Sequence, residues 1–263
     1  MDLFLLKLFI SFVSGGLWVL FTTILADKFG TKIGGLVNGM PSTLLFGLLF
    51  IAWTQSPQTS VNATTIVPAI GGINMLFMAS YIYFVRINFS LSLMFSVFLW
   101  MIFSFLFLLI HLNNFIVSIL IYVILLLLSY LLVEHILKTK SIEGKKIKYS
   151  FNLLLSRGIL SGFIIAFAVL VAKIGGPIMG GIFSMFPAAT VSTILITHRA
   201  HGSEFSSGVV KSILLGSVGA IMYGLLVRYT YLSIGVFLGT LVSMLGAYLS
   251  GYLVYYLVIK KIR

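Results

Sequence analysis

Apolar stretches of about 20 residues recur along the whole chain, and they restrict the possible fold more than any other feature. A stretch of this length crosses a hydrocarbon core of about 30 Å as an α-helix. Only 8% of the 263 residues are charged, whereas a soluble domain has about 25% charged residues. The sequence therefore predicts an all-α, polytopic membrane protein of about nine transmembrane helices.

Short polar breaks and one long lysine-rich loop separate the apolar stretches. The predicted spans cover residues 4–26, 33–53, 63–85, 89–110, 114–133, 151–172, 177–197, 206–227 and 231–259. Two of the predicted breaks are Gln55–Asn62 and His198–Phe205, and the long loop is Glu134–Ser150.

The distribution of Lys and Arg predicts the orientation of these spans. With nine spans, 14 of the 17 basic residues fall on one side, and only Lys7, Lys173 and Arg228 fall on the other. Basic residues are enriched in cytoplasmic loops. We therefore expect an inner (plasma) membrane protein with its N-terminus outside and its C-terminus in the cytoplasm. The net charge of +12 is interpreted as this orientation signal, so no nucleic-acid partner is predicted.

An internal repeat is present at an offset of 146 residues. Its core aligns Gly34–Pro41 with Gly180–Pro187, and the ungapped match extends from Gly16 and Gly162 to Leu49 and Leu195. Five spans separate equivalent positions, and an odd number inverts the second copy relative to the first. The prediction is a first four-helix repeat over 1–112, a connector helix with a basic loop over 113–150, and an inverted four-helix repeat over 151–263.

Four-helix units of this size used in opposite orientations resemble the small multidrug resistance proteins. Their fusion into one chain resembles the wider drug/metabolite transporter superfamily. The Gly180–Pro187 stretch is also faintly similar to the uncharacterised GlpM-like membrane proteins. The resemblance implies a transporter fold, but the multidrug family has a membrane-embedded glutamate in its first helix and this chain has none there.

Paired prolines mark a candidate substrate site. Interruptions at corresponding positions of two inverted halves are typical of the midplane site of secondary transporters. Pro41 and Pro187 form such a pair, and each disrupts the hydrogen bond to the carbonyl four residues earlier, that of Val37 or Phe183. The predicted substrate-binding residues surround these breaks and include one amide on the third span: Asn38, Pro41, Ser42, Thr43, Asn74, Ser184, Pro187 and Thr190.

Two alternatives remain open for these residues. The prolines can simply kink their helices while nearby hydroxyl groups bind the freed carbonyls. Asn74 can form an interhelical hydrogen bond instead of contacting a solute. Glycines of the last span, Gly235 and Gly239, leave open a homodimer through that helix.

The charged residues limit the chemistry. All five acidic residues lie at the ends of spans or in loops, and this disfavours proton coupling through a midplane carboxylate. Arg157 and Lys211 are expected to extend to the membrane interface. His198, His201 and Glu204 are too few for a metal site, and the chain has no cysteine and no catalytic motif. We therefore predict no enzyme activity, no metal and no cofactor.

The predicted function is a secondary transporter of a small neutral or anionic solute. It would work in the lipid bilayer by alternating access between the inverted repeats. The alternative is a non-transporting membrane factor that assists envelope or lipid metabolism through its basic cytoplasmic surface.

Overall fold

The computed structural model of the protein describes residues 3–28, 42–140, 151–254 and 256–257. Within these residues the chain forms helices and no strand. The helices are α1 Leu3–Lys28, α2 Ser42–Thr54, α3 Pro57–Ala63, α4 Val67–Phe84, α5 Phe89–Leu109, α6 Phe115–Leu131, α7 Phe151–Gly175, α8 Pro177–Ser184, α9 Ala188–Gly216, α10 Val218–Ser233 and α11 Val236–Val254. A π-helical turn, Leu132–Ile136, continues α6.

Seven segments of the described residues are long and apolar enough to cross a membrane. One of them, Pro177–Ser233, has 57 residues, far more than the roughly 20 that one crossing needs. It contains the predicted seventh and eighth spans. The predicted second span is described only from Ser42 onward. The protein is thus an all-α, multi-pass membrane protein, while the count of nine stays a prediction.

Two predicted loops are helical, which corrects their assignment. Most of Gln55–Asn62 belongs to α3, which continues to Ala63 and whose N-terminus is capped by Ser56, with the Thr59 amide donating to the Ser56 hydroxyl at 3.1 Å. His198–Phe205 lies within α9, where the helix bends at Gly202 (φ 81°, ψ −173°). This backbone conformation is accessible almost only to glycine, so a single residue changes the direction of the chain without a loop.

The helices differ greatly in how much of their surface is covered. Most residues of α4 are buried, whereas α5 buries only Ser92, Ser96, Trp100 and Ser104. The connector helix α6 likewise buries Ser118, Tyr122 and Ser129 and exposes its aliphatic side chains. Because lipid tails solvate apolar groups, the polar stripes face protein and the apolar faces point outward.

Helices α1 and α7 cross at glycines. A Cβ at Gly16 would lie 2.8 Å from the Gly158 carbonyl oxygen, and one at Gly162 would lie 2.4 Å from the Phe12 carbonyl oxygen. Small residues at such crossings allow the two backbones to approach closely. Gly16 and Gly162 are also equivalent positions of the internal repeat, so the two copies of the first helix meet at the same glycine.

Gly239 of α11 packs against α10. A Cβ at Gly239 would lie 2.9 Å from Tyr231 and 3.0 Å from the Thr230 hydroxyl of α10. Gly235 occupies the turn between α10 and α11 with a φ of 84°. The homodimer through Gly235 and Gly239 stays a prediction.

Two groups of polar contacts lie at opposite ends of α4. At one end the Arg228 guanidinium donates to the Thr65 hydroxyl at 3.1 Å and lies 4.4 Å over the Phe115 ring. At the other end Arg86 donates to the Leu137 carbonyl at 2.5 Å. The roughly 20 residues of helix between Thr65 and Arg86 rise about 30 Å, the thickness of a hydrocarbon core.

Arg157 and Lys211 are buried against protein groups, whereas side chains that extend freely to the membrane interface were expected. They are only 2% and 3% exposed. Arg157 donates to the Thr193 hydroxyl at 2.9 Å, and Lys211 forms an ion pair with Glu134 at 2.6 Å. Burial of a cation is tolerated when such partners replace water. Glu134 itself lies in the π-helical turn and not in the predicted loop.

Candidate functional site

A cavity of about 70 Å³ with a mixed polar and apolar wall lies between residues of the first and second halves of the chain. Its lining combines hydroxyl, amide, thioether and aliphatic groups: Ser42, Thr43, Leu44, Gly71, Asn74, Met75, Met78, Met185, Phe186, Pro187, Ala189, Thr190, Ile213, Ser217, Ala220 and Ile221. Five of the predicted site residues are among them: Ser42, Thr43, Asn74, Pro187 and Thr190. One water needs roughly 10–15 Å³ of such space, so the cavity can hold a few waters or a solute of a few heavy atoms.

The cavity lies near the middle of α4. Asn74 is about nine residues from Thr65 and about twelve from Arg86, or roughly 14 and 18 Å of helix rise. It therefore lies about halfway between the two groups of polar contacts at the ends of this helix. A site at this depth is reached by water only through the protein.

The break between α8 and α9 forms one wall of the cavity. Helix α8 ends at Ser184, and α9 begins after Pro187. Pro187 cannot donate to the Phe183 carbonyl, and the Phe186 amide donates to that oxygen instead at 3.1 Å, so a backbone amide takes the place of the expected side-chain partner. The Met185 carbonyl accepts a side-chain hydrogen bond instead, from Asn74 Nδ2 at 3.0 Å. The donor is thus Asn74 of α4, which forms the interhelical hydrogen bond that the sequence analysis left open.

Asn74 also accepts a hydrogen bond from Trp100. The Trp100 indole Nε1 donates to Asn74 Oδ1 at 2.7 Å, and its ring stands edge-on to Phe186 with centroids 5.0 Å apart. One amide therefore fixes the broken segment to both α4 and α5. Trp100 was not among the predicted site residues. Trp100 is four residues from both Ser96 and Ser104, and this spacing places it on the buried face of α5 with these serines.

A helix N-terminus faces the cavity from the second half. Ala189 and Thr190 belong to the first turn of α9, while Ser42 and Thr43, the first described residues of α2, line the cavity from the first half. No side chain caps the N-terminus of α9, since Pro187 occupies its cap position. A helix N-terminus carries a partial positive charge of about half a unit and presents free amide donors. None of the described lining residues is ionisable, so this dipole and the hydroxyl groups set the local electrostatics.

Sequence-equivalent positions line the cavity together. Two pairs of lining residues are separated by the repeat offset of 146 and lie within the aligned stretch: Thr43 and Ala189, and Leu44 and Thr190. The aligned stretches of both halves thus contribute to the cavity. Ser217 is a polar lining residue that the sequence prediction did not include.

The remaining predicted site residues lie elsewhere. Ser184 is fully buried but does not line the cavity; a Cβ at Gly47 would lie 2.3 Å from its hydroxyl. Asn38 and Pro41 lie outside the described residues. His198 stacks on Phe89 with centroids 3.8 Å apart, and His201 contacts Phe205 edge-on. These two histidines therefore have separate aromatic partners.

The fold and this lining define an all-α, multi-pass membrane protein with an internal cavity. Residues 8–113 match the family model described as "Protein of unknown function (DUF3147)". The matched stretch runs from α1 to the turn after α5. No curated protein matches the chain, and no solved structure matches it.

Proposed function

We propose that the protein is a secondary carrier for a small polar solute, neutral or anionic, that works by alternating access between two inverted halves. The observation that carries this proposal is the cavity, which joins an interrupted helix to polar groups of both halves near the middle of the bundle. Carriers built from inverted repeats place their substrate at such a position.

Two observations support the inverted arrangement. The cavity lining contains two pairs of positions from the aligned repeat, Thr43 with Ala189 and Leu44 with Thr190, and α1 and α7 cross at the equivalent glycines Gly16 and Gly162. In the proposed orientation Arg228 faces the outside and Arg86 faces the cytoplasm. This agrees with the rise of about 30 Å between Arg86 and Thr65, the hydrogen-bond partner of Arg228. Rocking of one half against the other would expose the cavity to each side in turn.

The cavity chemistry favours an anion or a neutral solute with hydrogen-bond acceptors. Hydroxyl groups of Thr43 and Thr190 can donate hydrogen bonds, and the N-terminus of α9 favours negative charge. The Ser217 hydroxyl already donates to the Leu214 carbonyl at 2.6 Å and offers only its oxygen. A cation would find no carboxylate among the described lining residues. Because no described lining residue titrates near neutral pH, facilitated diffusion or exchange is proposed instead of proton coupling.

The test is solute flux into proteoliposomes, with and without a pH gradient. The panel consists of formate, acetate, urea, glycerol and guanidinium. We expect saturable flux of a neutral or anionic compound that does not need the pH gradient. Thr190→Val removes one donor at nearly constant volume, and one hydrogen bond of about 0.5–1.5 kcal/mol corresponds to a loss of roughly 2- to 12-fold in apparent affinity.

Ser233→Ala is the matched control. Ser233 is exposed, and its hydroxyl donates to the Tyr229 carbonyl of its own helix at 2.7 Å, so flux should be unchanged. Equal effects of Thr190→Val and Ser233→Ala would argue against the cavity as the binding site. If the folded, oriented protein moves no compound of the panel, the alternative of a non-transporting membrane factor becomes the better proposal.

A further inference from the structure

A second cavity, distinct from the proposed solute site, lies at the end of the bundle where α4 ends. Its volume is about 280 Å³, four times that of the central cavity. Three cations, two serines and one carboxylate contribute to its wall: Arg86, Lys138, Lys140, Ser203, Ser207 and Glu204. The side chains come from three separate parts of the chain that fold together here.

The segment that carries the two lysines is held in place by its backbone. Arg86 donates to the Leu137 carbonyl at 2.5 Å, and Lys211 donates to the Thr139 carbonyl at 2.7 Å. Lys138 between these two points has a φ of 48°, a left-handed conformation that is uncommon for a residue with a side chain. The buried pair of Lys211 and Glu134 thus fixes a strained turn that places Lys138 and Lys140 at the cavity.

The wall opposite the lysines is the start of a helical segment. After the bend at Gly202 the chain continues as a helix, and Ser203, Glu204 and Ser207 of its first turns line the cavity. Serine hydroxyl groups and N-terminal amides are donors to anions. Three cations and one carboxylate leave a local charge of about +2. A phosphate monoester carries a charge of similar magnitude and opposite sign at neutral pH.

We propose that this basic cavity binds a phosphate group. Its volume accommodates a phosphate and a small substituent, such as glycerol. The cavity lies at the end of the roughly 30 Å of α4, at the depth of lipid head groups. The phosphate can therefore belong to an anionic lipid or to a water-soluble phosphate ester, and the chemistry of recognition is the same for both.

The experiment compares binding to the purified full chain in a non-ionic detergent. The probes are short-chain phosphatidylglycerol, short-chain phosphatidylcholine, glycerol 3-phosphate and inorganic phosphate, measured by microscale thermophoresis. The double variant Lys138→Gln/Lys140→Gln should weaken binding of the anionic probe at least about tenfold, since each lysine near a phosphate surface contributes about 1 kcal/mol. Melting temperatures report whether each variant is folded.

Lys7→Gln/Lys173→Gln is the matched control, because it removes the same charge where α1 begins and α7 ends. Wild-type affinity in this variant would support the basic cavity as the site. Equal weakening in both double variants, or wild-type binding no tighter to any anionic probe than to phosphatidylcholine, would overturn the proposal. Binding of phosphatidylglycerol alone would identify the ligand as an anionic lipid. Competition by glycerol 3-phosphate would identify it as a water-soluble phosphate ester. Neither result depends on solute flux, so the carrier proposal is tested separately.

Discussion

Replacement of Asn74 by leucine removes the amide that holds the break between α8 and α9. The change leaves the Met185 carbonyl and the Trp100 indole without the partners they have at 3.0 and 2.7 Å. Interhelical hydrogen bonds in membrane proteins contribute about 0.6 kcal/mol on average and up to about 1.7 kcal/mol. For two bonds, we expect Asn74→Leu to lower the free energy of unfolding by about 1–3 kcal/mol.

A double-mutant cycle separates the hydrogen bond from packing. Trp100→Phe removes the bond to Asn74 Oδ1 and also part of a ring that is only 2% exposed. In the double variant the bond is already lost, so the combined loss should be smaller than the sum by about 0.6–1.7 kcal/mol. The assay is reversible unfolding by SDS in mixed micelles, followed by circular dichroism.

Ser233→Ala serves as the control in this assay too, because its hydroxyl bonds only within α10. It should change the free energy of unfolding by less than about 0.5 kcal/mol. Strictly additive losses for Asn74→Leu and Trp100→Phe, or a loss for Asn74→Leu no larger than that of the control, would refute the assigned role of Asn74.

Two further variants test the packing of the bundle. Glu134→Gln leaves the Lys211 ammonium buried without the carboxylate that lies 2.6 Å from it. We expect the free energy of unfolding in SDS to fall by about 3 kcal/mol. Much of this loss should be recovered in Glu134→Gln/Lys211→Met, which removes the buried charge as well. No recovery in that double variant would show that the charge pair is not the cause. Gly162→Ala places a Cβ 2.4 Å from the Phe12 carbonyl oxygen and should lower the melting temperature in detergent. Gly246→Ala should be tolerated, since its close neighbour is the mobile end of Leu226.

The class of protein could be predicted from the sequence because the length of an apolar run is a local property. The predicted spans 89–110, 114–133 and 151–172 agree closely with α5 Phe89–Leu109, α6 Phe115–Leu131 and α7 Phe151–Gly175. Pro187 likewise marked the interruption of the seventh span, since proline cannot donate the hydrogen bond that would continue the helix. The repeat offset also led to Ser42, Thr43, Pro187 and Thr190, and the polarity of the third span to Asn74, and all five line one cavity.

The boundaries that failed lie where the chain bends without a polar loop. Gly202 changes the direction of α9 within one residue, and Ser56 starts a short helix where a loop was predicted. Both depend on backbone dihedral angles, which hydropathy does not report. The buried face of a helix also could not be predicted in spans that are apolar on every side. The exception is α5, where the spacing of its serines marks the buried face.

The sequence by itself determined the all-α membrane architecture, the position of the proline break and the polar groups near it, because these follow from the length and composition of short segments. Only the tertiary structure decided which groups meet. The partner of the Met185 carbonyl is 111 residues away in the chain. Lys211 is buried because Glu134 and the Thr139 carbonyl reach it from the connector segment. The free energy of a buried polar group depends on its partner, and a partner distant in sequence is specified only by the packed helices.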